Sequence, residues 1–328
     1  MQQYDIYGLG AALVDTEIEV TDEFLSQAGI EKGLMTLVDE ARQQELLALM
    51  SDHLVGSRRA SGGSACNSII AASYFGARTF YSCKVANDDN GRFFHHDTQA
   101  AGVTTRANDL PEGTTGKCLV MITPDAERTM NTFLGISETL GVEDLDPEAI
   151  RQSHYAYIEG YLVTSETGRA AAIKTRELAE EYGVKTALSL SDPGMVEFFG
   201  EGLQAMIGDG VDLLFCNKDE ALGWTKAANI EQAAQALQQH AKSFAITLGK
   251  EGALVFDGNK MSQVEGESVK AIDTNGAGDM FAGAFLAALV KGSSYEQAAR
   301  LANRAAAKVV SQYGPRLRPE QHQSLLND

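Results

Sequence analysis

Asp273-Thr274-Asn275-Gly276-Ala277-Gly278-Asp279 runs straight into Met-Phe-Ala-Gly-Ala-Phe-Leu, so two glycines and a carboxylate sit where a loop enters a strongly apolar helix. A helix start leaves its first N–H groups unpaired and carries the positive end of the helix dipole, which attracts anions. Gly276 and Gly278 let the backbone approach such an anion without Cβ atoms in the way. Asp279 is then out of place, a negative charge beside an anion site. It makes chemical sense as a general base taking the proton from a hydroxyl that attacks a phosphate. The N–H groups of Gly276, Ala277 and Gly278 would then stabilise the phosphoryl oxygens. The structural alternative is an ordinary helix start whose acidic residue complements the dipole.

Three further groups carry polar residues to similar places. Asn217-Lys-Asp-Glu220 follows the strand-like run Asp212–Cys216 and falls at a strand's carboxyl end, where ligands bind in open α/β sheets. The same residues also spell a capping box, with Asn217 as N-cap and Glu220 three positions on. Gly62-Gly63 precedes the helical run Cys66–Phe75 and would admit backbone N–H groups to a sugar oriented by Asn67. Alone, that pair is a turn. Asp15 follows the first apolar run and has lone pairs enough to accept from two vicinal hydroxyls of a ribose, though a loop or capping aspartate reads the same way.

Taken together these motifs resemble the ribokinase/PfkB carbohydrate kinase family. Asp273–Asp279 is similar to its C-terminal signature, Asn217-Lys-Asp-Glu220 to its Asn-x-x-Glu motif, and Gly62-Gly63-Ser64-Ala-Cys-Asn67 to its N-terminal signature, all in the family's order. The opening Gly10-Ala-Ala-Leu-Val-Asp15, the Gly-Gly-Ser-x-x-Asn form and Thr123-Pro-Asp-Ala-Glu-Arg-Thr129 look most like the adenosine kinase branch. The resemblance implies an α/β ribokinase-like core with a mostly parallel sheet flanked by helices. It also implies one domain over residues 1–328, with a small β-sheet lid formed by inserted segments at about 16–39 and 104–137. It implies ATP as phosphoryl donor, Mg²⁺ held through water by Glu220, and Asn217 facing the phosphates. Thr247, Gly249 and Gly252 would form the loop over the nucleotide, and Asn303 would lie near the adenine. Arg304 beside it departs from the small residue usual there. Asp15, Gly62, Gly63, Ser64 and Asn67 would bind the acceptor, and Asp273 with Asn275 matches positions that hold a monovalent cation such as K⁺ in some relatives. The implied reaction is transfer of the γ-phosphate to a nucleoside ribose 5′-hydroxyl. The alternatives are a kinase for a free sugar or another nucleoside, and a catalytically silent sensor.

The elements that must position these residues follow from periodicity. Helical spacing appears in Gln43–Met50, Cys66–Phe75, Gly91–Ala101, Glu166–Tyr182, Ile230–His240, Ala277–Val290 and Tyr295–Tyr313. Strand-like runs lie between them: Tyr4–Gly10, Thr79–Val85, Ala156–Glu159, Thr186–Ser191, Asp212–Cys216, Phe244–Leu248 and Ala253–Phe256. That alternation predicts a mostly parallel sheet covered on both faces. Lys117–Thr123 and Arg128–Phe133 flank Pro124-Asp-Ala-Glu as an antiparallel hairpin, which with Glu17–Val38 would build a small sheet standing off the body. If one face of that sheet is uncovered, it either closes over substrate or pairs with a second subunit, giving a monomer or a homodimer. Arg128 reads as an exposed hairpin residue, with approach to the phosphates as the alternative, His95-His96 as an ordinary helix pair, and Leu13, Met35 and Phe133 as core or lid packing that could border a purine.

Composition excludes other classes. With 328 residues, 44% hydrophobic and 22% charged, the chain has a composition ordinary for a soluble globular enzyme, and its net charge of −18 has no basic block to serve a nucleic acid or an anionic membrane. The four cysteines are scattered, as in a reduced cytoplasmic protein, and Met1-Gln-Gln-Tyr-Asp has no signal-peptide pattern. The longest apolar run, Met280–Val290, is too short to span a bilayer. A Walker loop and the protein-kinase set are absent, and Gly8-Leu-Gly10 lacks the third glycine of a dinucleotide fingerprint.

Overall fold

Fourteen strands divide into two sheets in the computed structural model, which describes residues 3–50, 58–106 and 110–327. They are β1 (Ile6–Leu9), β2 (Leu13–Glu19), β3 (Met35–Leu37), β4 (Arg58–Gly62), β5 (Thr79–Ser82), β6 (Val103–Thr105) and β7 (Thr115–Ile122). Then follow β8 (Arg128–Gly135), β9 (Tyr155–Glu159), β10 (Lys185–Ser189), β11 (Leu213–Asn217), β12 (Phe244–Thr247), β13 (Ala253–Phe256) and β14 (Met261–Val264). The large sheet has the order β14-β13-β12-β11-β10-β9-β1-β5-β6, parallel from β6 to β12 and antiparallel at β13 and β14. Its central strands are buried on both faces, as a sheet with helices on each side requires.

Period-two alternation assigns side chains to two apolar layers. Leu213 and Phe215 join Tyr81, Tyr157, Phe281 and Phe285 on one face, while Leu214 and Cys216 join Tyr7, Ile158, Leu188 and Ile246 on the other. The first layer is packed by helices Ser64–Tyr74, Ala277–Val290 and Tyr295–Val310. Gly283 sets the fit of the first two, because a Cβ there would overlap the Ser68 carbonyl oxygen. Residues four apart share a helix face, so close approach at Gly283 and Ser68 carries Asp279 to Ser64 one turn earlier.

The second sheet has the order β3-β8-β7-β2-β4. β2 pairs in parallel with β7 and antiparallel with β4, and β7 and β8 form the expected hairpin. Two expectations about it change. It starts at Leu13 rather than near residue 16 and includes β4, so Asp15 lies inside a strand of the small sheet and not in a loop after β1. Its outer face is also covered. Ile18, Leu119 and Met121 pack against Leu25, Leu46 and Met50 from helices Asp22–Gln27 and Glu40–Leu49 and the turn after them. Residues 107–109 of the second expected lid segment lie outside the described residues.

Helices Pro193–Ile207 and Pro319–Asn327 were not anticipated, although Asp192 caps the first with Pro193 at its first position, a legible start signal. Among the described residues no helix is long and apolar enough to cross a membrane.

Candidate active site

The carboxyl ends of β1, β9, β10, β11 and β12 and the inner face of the small sheet enclose a cleft of about 700 Å³. Gly276, Ala277, Gly278 and Asp279 line it together. No side chain caps the helix start, where Ala277 N donates to the Thr274 carbonyl at 3.3 Å and Gly278 lines the cleft. Gly276 adopts φ +74°, and a Cβ there would collide with Pro315, so the turn admits only glycine. Gly278 meets nothing within 4 Å of an added Cβ and is the open side of the turn.

Asp279 is fixed from the acceptor side. Ser64 Oγ donates to its Oδ1 at 2.6 Å and Asn67 Nδ2 to its Oδ2 at 3.1 Å, across 215 and 212 residues of sequence. Burial raises its pKa, while the bonds from Ser64 and Asn67 and the charge of Arg128 pull the other way. A carboxylate so placed is a better proton acceptor than an exposed aspartate and is held in one orientation.

The remaining acceptor-side candidates gather round it. Asp15 is 5% exposed, and its Oδ1 has no hydrogen-bond partner among the described residues. Burial pushes its pKa up to about 8, against the lowering effect of Arg316. Gly62 lies directly against this carboxylate, and any Cβ there would occupy the space of the Asp15 oxygens. Gly63, at φ +98°, packs on the Ala11 carbonyl and starts the helix carrying Ser64 and Asn67. Asn67 Oδ1 is likewise buried and unpartnered among the described residues. Two buried acceptors without donors face one cleft, the arrangement expected where a ligand's hydroxyls complete the hydrogen bonding.

Glu159, at the end of β9, escaped the sequence reading. It accepts from Ala11 N at 2.6 Å and Ala65 N at 2.7 Å, clasping the loop after β1 to the helix that carries Ser64. Burial raises its pKa to about 7 in spite of those bonds. A lone glutamate in Tyr-Ile-Glu has no spacing that would single it out.

Across the cleft, Asn217 and Glu220 form the capping box that their spacing allows. Asn217 N donates to Glu220 Oε2 at 2.9 Å, Asn217 Nδ2 to Oε1 at 2.6 Å, and Glu220 N to Asn217 Oδ1 at 2.8 Å. Both residues also line the cleft, so capping and ligand contact are not exclusive. Burial brings the Glu220 pKa up to about 7, with Asp192 reinforcing it and Asn217 and Arg128 opposing. Each Glu220 oxygen accepts one bond, which leaves acceptor capacity for a metal-bound water.

Of the two readings of Arg128, the exposed one gives way. The residue lines the cleft, half-buried, within the field of Tyr161, Asp279 and Asp192. The alternation of β8 explains why, since Arg128, Met130, Thr132 and Leu134 all face inward and Phe133 does not. Leu13 and Met35 are on that wall as well.

Thr247 and Gly249 border the cleft, but Gly252 does not; its φ of +93° serves the turn into β13, against Val264 and Gly266. Asn303 is also outside. Its Nδ2 donates to the Val264 and Glu265 carbonyls at 3.1 and 3.0 Å, tying helix Tyr295–Val310 to the end of β14. Asp273 is fully buried beneath the floor and accepts from Asn275 N and Gly314 N, both at 2.8 Å, while Asn275 reaches the cleft. His95 Nδ1 lies 3.2 Å from Thr105 Oγ1, far from this chemistry, and no cluster of three metal-ligating His, Cys, Asp or Glu residues occurs among the described residues.

Comparison with known proteins agrees with this geometry. The profile of the pfkB family carbohydrate kinases matches residues 41–322. The structure is similar to that of an adenosine kinase from Sinorhizobium meliloti, with 34% identity, 99% of both chains covered and a TM-score of 0.93. It is equally similar to a probable sugar kinase from Rhizobium etli CFN 42, with 31% identity, 100% of this chain and 99% of that one covered, and a TM-score of 0.94. An adenosine kinase of Schizophyllum commune is 27% identical over 347 residues, covering 97% of this chain and 98% of its own. With the fold, the motifs and the profile in agreement, the chain belongs to the pfkB family of carbohydrate kinases, phosphotransferases whose acceptor is a hydroxyl group.

Proposed function

We propose that this kinase transfers the γ-phosphate of ATP to the 5′-hydroxyl of a nucleoside, adenosine foremost. The observation that carries the reading is the placement of Asp279: bonded to Ser64 and Asn67 on the acceptor side, and in the first turn of an uncapped helix on the phosphate side. A hydroxyl delivered between them meets its base and its electrophile in one step. Asp15, with a free buried acceptor, takes the two vicinal ribose hydroxyls and points the 5′ end at Asp279. The apolar wall of Leu13, Met35, Met130 and Leu134 supports a nucleobase better than a bare sugar, which would leave it wet.

In this mechanism Asp279 accepts the hydroxyl proton as the new P–O bond forms and the bond to ADP breaks. The N–H group of Gly278 and the Arg128 guanidinium receive the charge on the transferring oxygens; one well-aimed donor of that kind is worth roughly 2.7–4 kcal/mol. Mg²⁺ held through water at Glu220 would neutralise phosphate charge when bound. Thr247 and Gly249 border the nucleotide. Asp273 and Asn275 remain the candidates for a K⁺ site, with Asp273 acting through the loop it pins. We read residues 1–328 as one domain with the small sheet as its lid.

The second reading, a free-sugar kinase, rests on the likeness to the probable sugar kinase. ADP release measured over a panel of nucleosides and free sugars, with the product identified by mass, separates the two. Turnover with adenosine giving the 5′-monophosphate is the expected result; turnover with free sugars alone overturns it.

A further inference from the structure

The two residues immediately before the glycine turn both reach out of the core and bond to the small sheet. Thr274 Oγ1 donates to the Ala126 carbonyl at 3.1 Å, and Asn275 Nδ2 donates to Glu17 Oε1 at 3.4 Å. Ala126 is the tip of the β7–β8 hairpin and Glu17 lies on β2, so two consecutive loop residues grip two separate parts of the same sheet.

Neither end of the contact is slack. On the core side, Asp273 accepts from Asn275 N and from Gly314 N, both at 2.8 Å, and Gly276 is wedged against Pro315 at φ +74°. Thr274 is thus confined between two anchored neighbours. On the sheet side, Ala126 holds φ +67°, a left-handed conformation unfavourable for an L residue. The hairpin braces it: Ala126 N donates to Thr123 O at 2.9 Å, Thr123 Oγ1 donates to Asp125 Oδ1 at 2.7 Å, and Lys32 bridges Asp125 to Asp22, 2.7 Å from each. The strained turn presents its carbonyl outward to Thr274. Arg128, two residues along the strand, is placed in the cleft by the same turn.

We propose that Thr274 is a positioning residue: its bond to Ala126 registers the small sheet against the phosphoryl-binding turn, so that Gly276–Asp279 and Arg128 converge on one phosphate only when the sheet is seated. The proposal rests on the reading of Asp279 and the helix start as the phosphoryl site. When the sheet is unseated, the turn and Arg128 no longer share a target, and water is a poor acceptor. When an acceptor fills the cleft and seats the sheet, transfer to its hydroxyl proceeds. Either way the bond between the β–γ bridging oxygen and γ-phosphorus breaks, and the acceptor's proton passes to Asp279.

The test compares Thr274→Val, which keeps the shape and removes the donor, with Thr274→Ser, which restores it. Three quantities are read: kcat and KM for adenosine, ATP hydrolysis without acceptor relative to transfer, and amide exchange across Asp125–Glu127. Thr274→Val should lower kcat/KM for adenosine about two- to tenfold, the loss of one neutral hydrogen bond. It should also raise the hydrolysis-to-transfer ratio, speed exchange at the tip and leave ATP-analogue affinity within twofold; Thr274→Ser should return all of these toward the parent. If Thr274→Val matches the parent in coupling ratio and tip exchange, or if Thr274→Ser is as impaired as Thr274→Val, the proposal is wrong. An Asp279→Asn enzyme with full turnover would instead remove the site reading, a failure visible without any Thr274 variant.

Discussion

Replacing Asp15 by Asn should move activity and stability in opposite directions. The side chain is 5% exposed, Gly62 leaves no slack beside it, and its Oδ1 lacks a partner among the described residues. Asn fits the same volume but trades one acceptor for a donor, which faces a ligand hydroxyl badly. Each hydrogen bond to a charged acceptor is worth about 1.5–3 kcal/mol, so losing one and mispairing the other costs about 2–4 kcal/mol in kcat/KM for adenosine, roughly 30- to 800-fold. Stability runs the other way. The folded carboxyl has a pKa of about 8 because it is buried, whereas the unfolded one is ordinary, near 4. Between those values the folded chain holds a proton that the unfolded chain has lost. This contribution is therefore fully present below about pH 4 and is lost as pH rises through about 8. Urea melts should show Asp15→Asn gaining on the parent from pH 5 to pH 8. Adenosine, by donating to the carboxylate, should expel the proton on binding, seen by calorimetry in buffers of different ionisation enthalpy. A variant that keeps kcat/KM within threefold, or that is less stable than the parent at pH 8, would refute the assignment of Asp15 as an unpaired acceptor awaiting substrate.

Other changes test the rest of the frame. Asp279→Asn should leave ATP-analogue binding nearly intact and lower kcat about 10²- to 10⁴-fold in a steady-state assay, the range for a positioned base. Gly283→Ala forces a methyl into the Ser68 carbonyl and should cost about 1–3 kcal/mol in urea unfolding; kcat should fall as well, because the same helix contact aligns Ser64 with Asp279. His322 is fully buried, its Nδ1–H donates to the Arg318 carbonyl at 3.0 Å, and its ring packs on Phe75. Burial depresses its pKa, so as pH falls below about 6.5 the unfolded chain takes a proton that the folded chain refuses. Stability should drop between pH 7 and pH 5, and His322→Phe should flatten that part of the profile; an unchanged slope would exclude His322 as its source.

How much of this could be read from sequence depends on whether a residue's role is local. Gly276 and Gly63 were legible because a helix start, a positive φ and a glycine coincide within a few positions. The parallel core followed from alternating runs, since buried strands and amphipathic helices write their own periods. Glu159 was invisible because its partners, Ala11 and Ala65, are 148 and 94 residues away and carry no side-chain signal. Asn303 fits a local motif, yet its amide is occupied by carbonyls at the end of β14, a contact that depends on how a helix packs on the sheet edge. Arg128 was recoverable in principle, because its even spacing with Met130, Thr132 and Leu134 places all four on one strand face. The helix Asp22–Gln27 announced itself only by its cap, Thr21, at six residues too short for periodicity to show.

The pair of helices behind the small sheet turns it into a two-layer slab with its own apolar filling. A bare ribbon of strands would flex along its length under load and smear the aim of whatever it carries. A filled slab would move as a plank, so a push on Met35 or Leu13 would travel to the far hairpin with little absorbed on the way. On the proposed reading, the accuracy with which Arg128 meets a phosphate would then rest on Leu25, Leu46 and Met50, side chains outside the lining of the cleft.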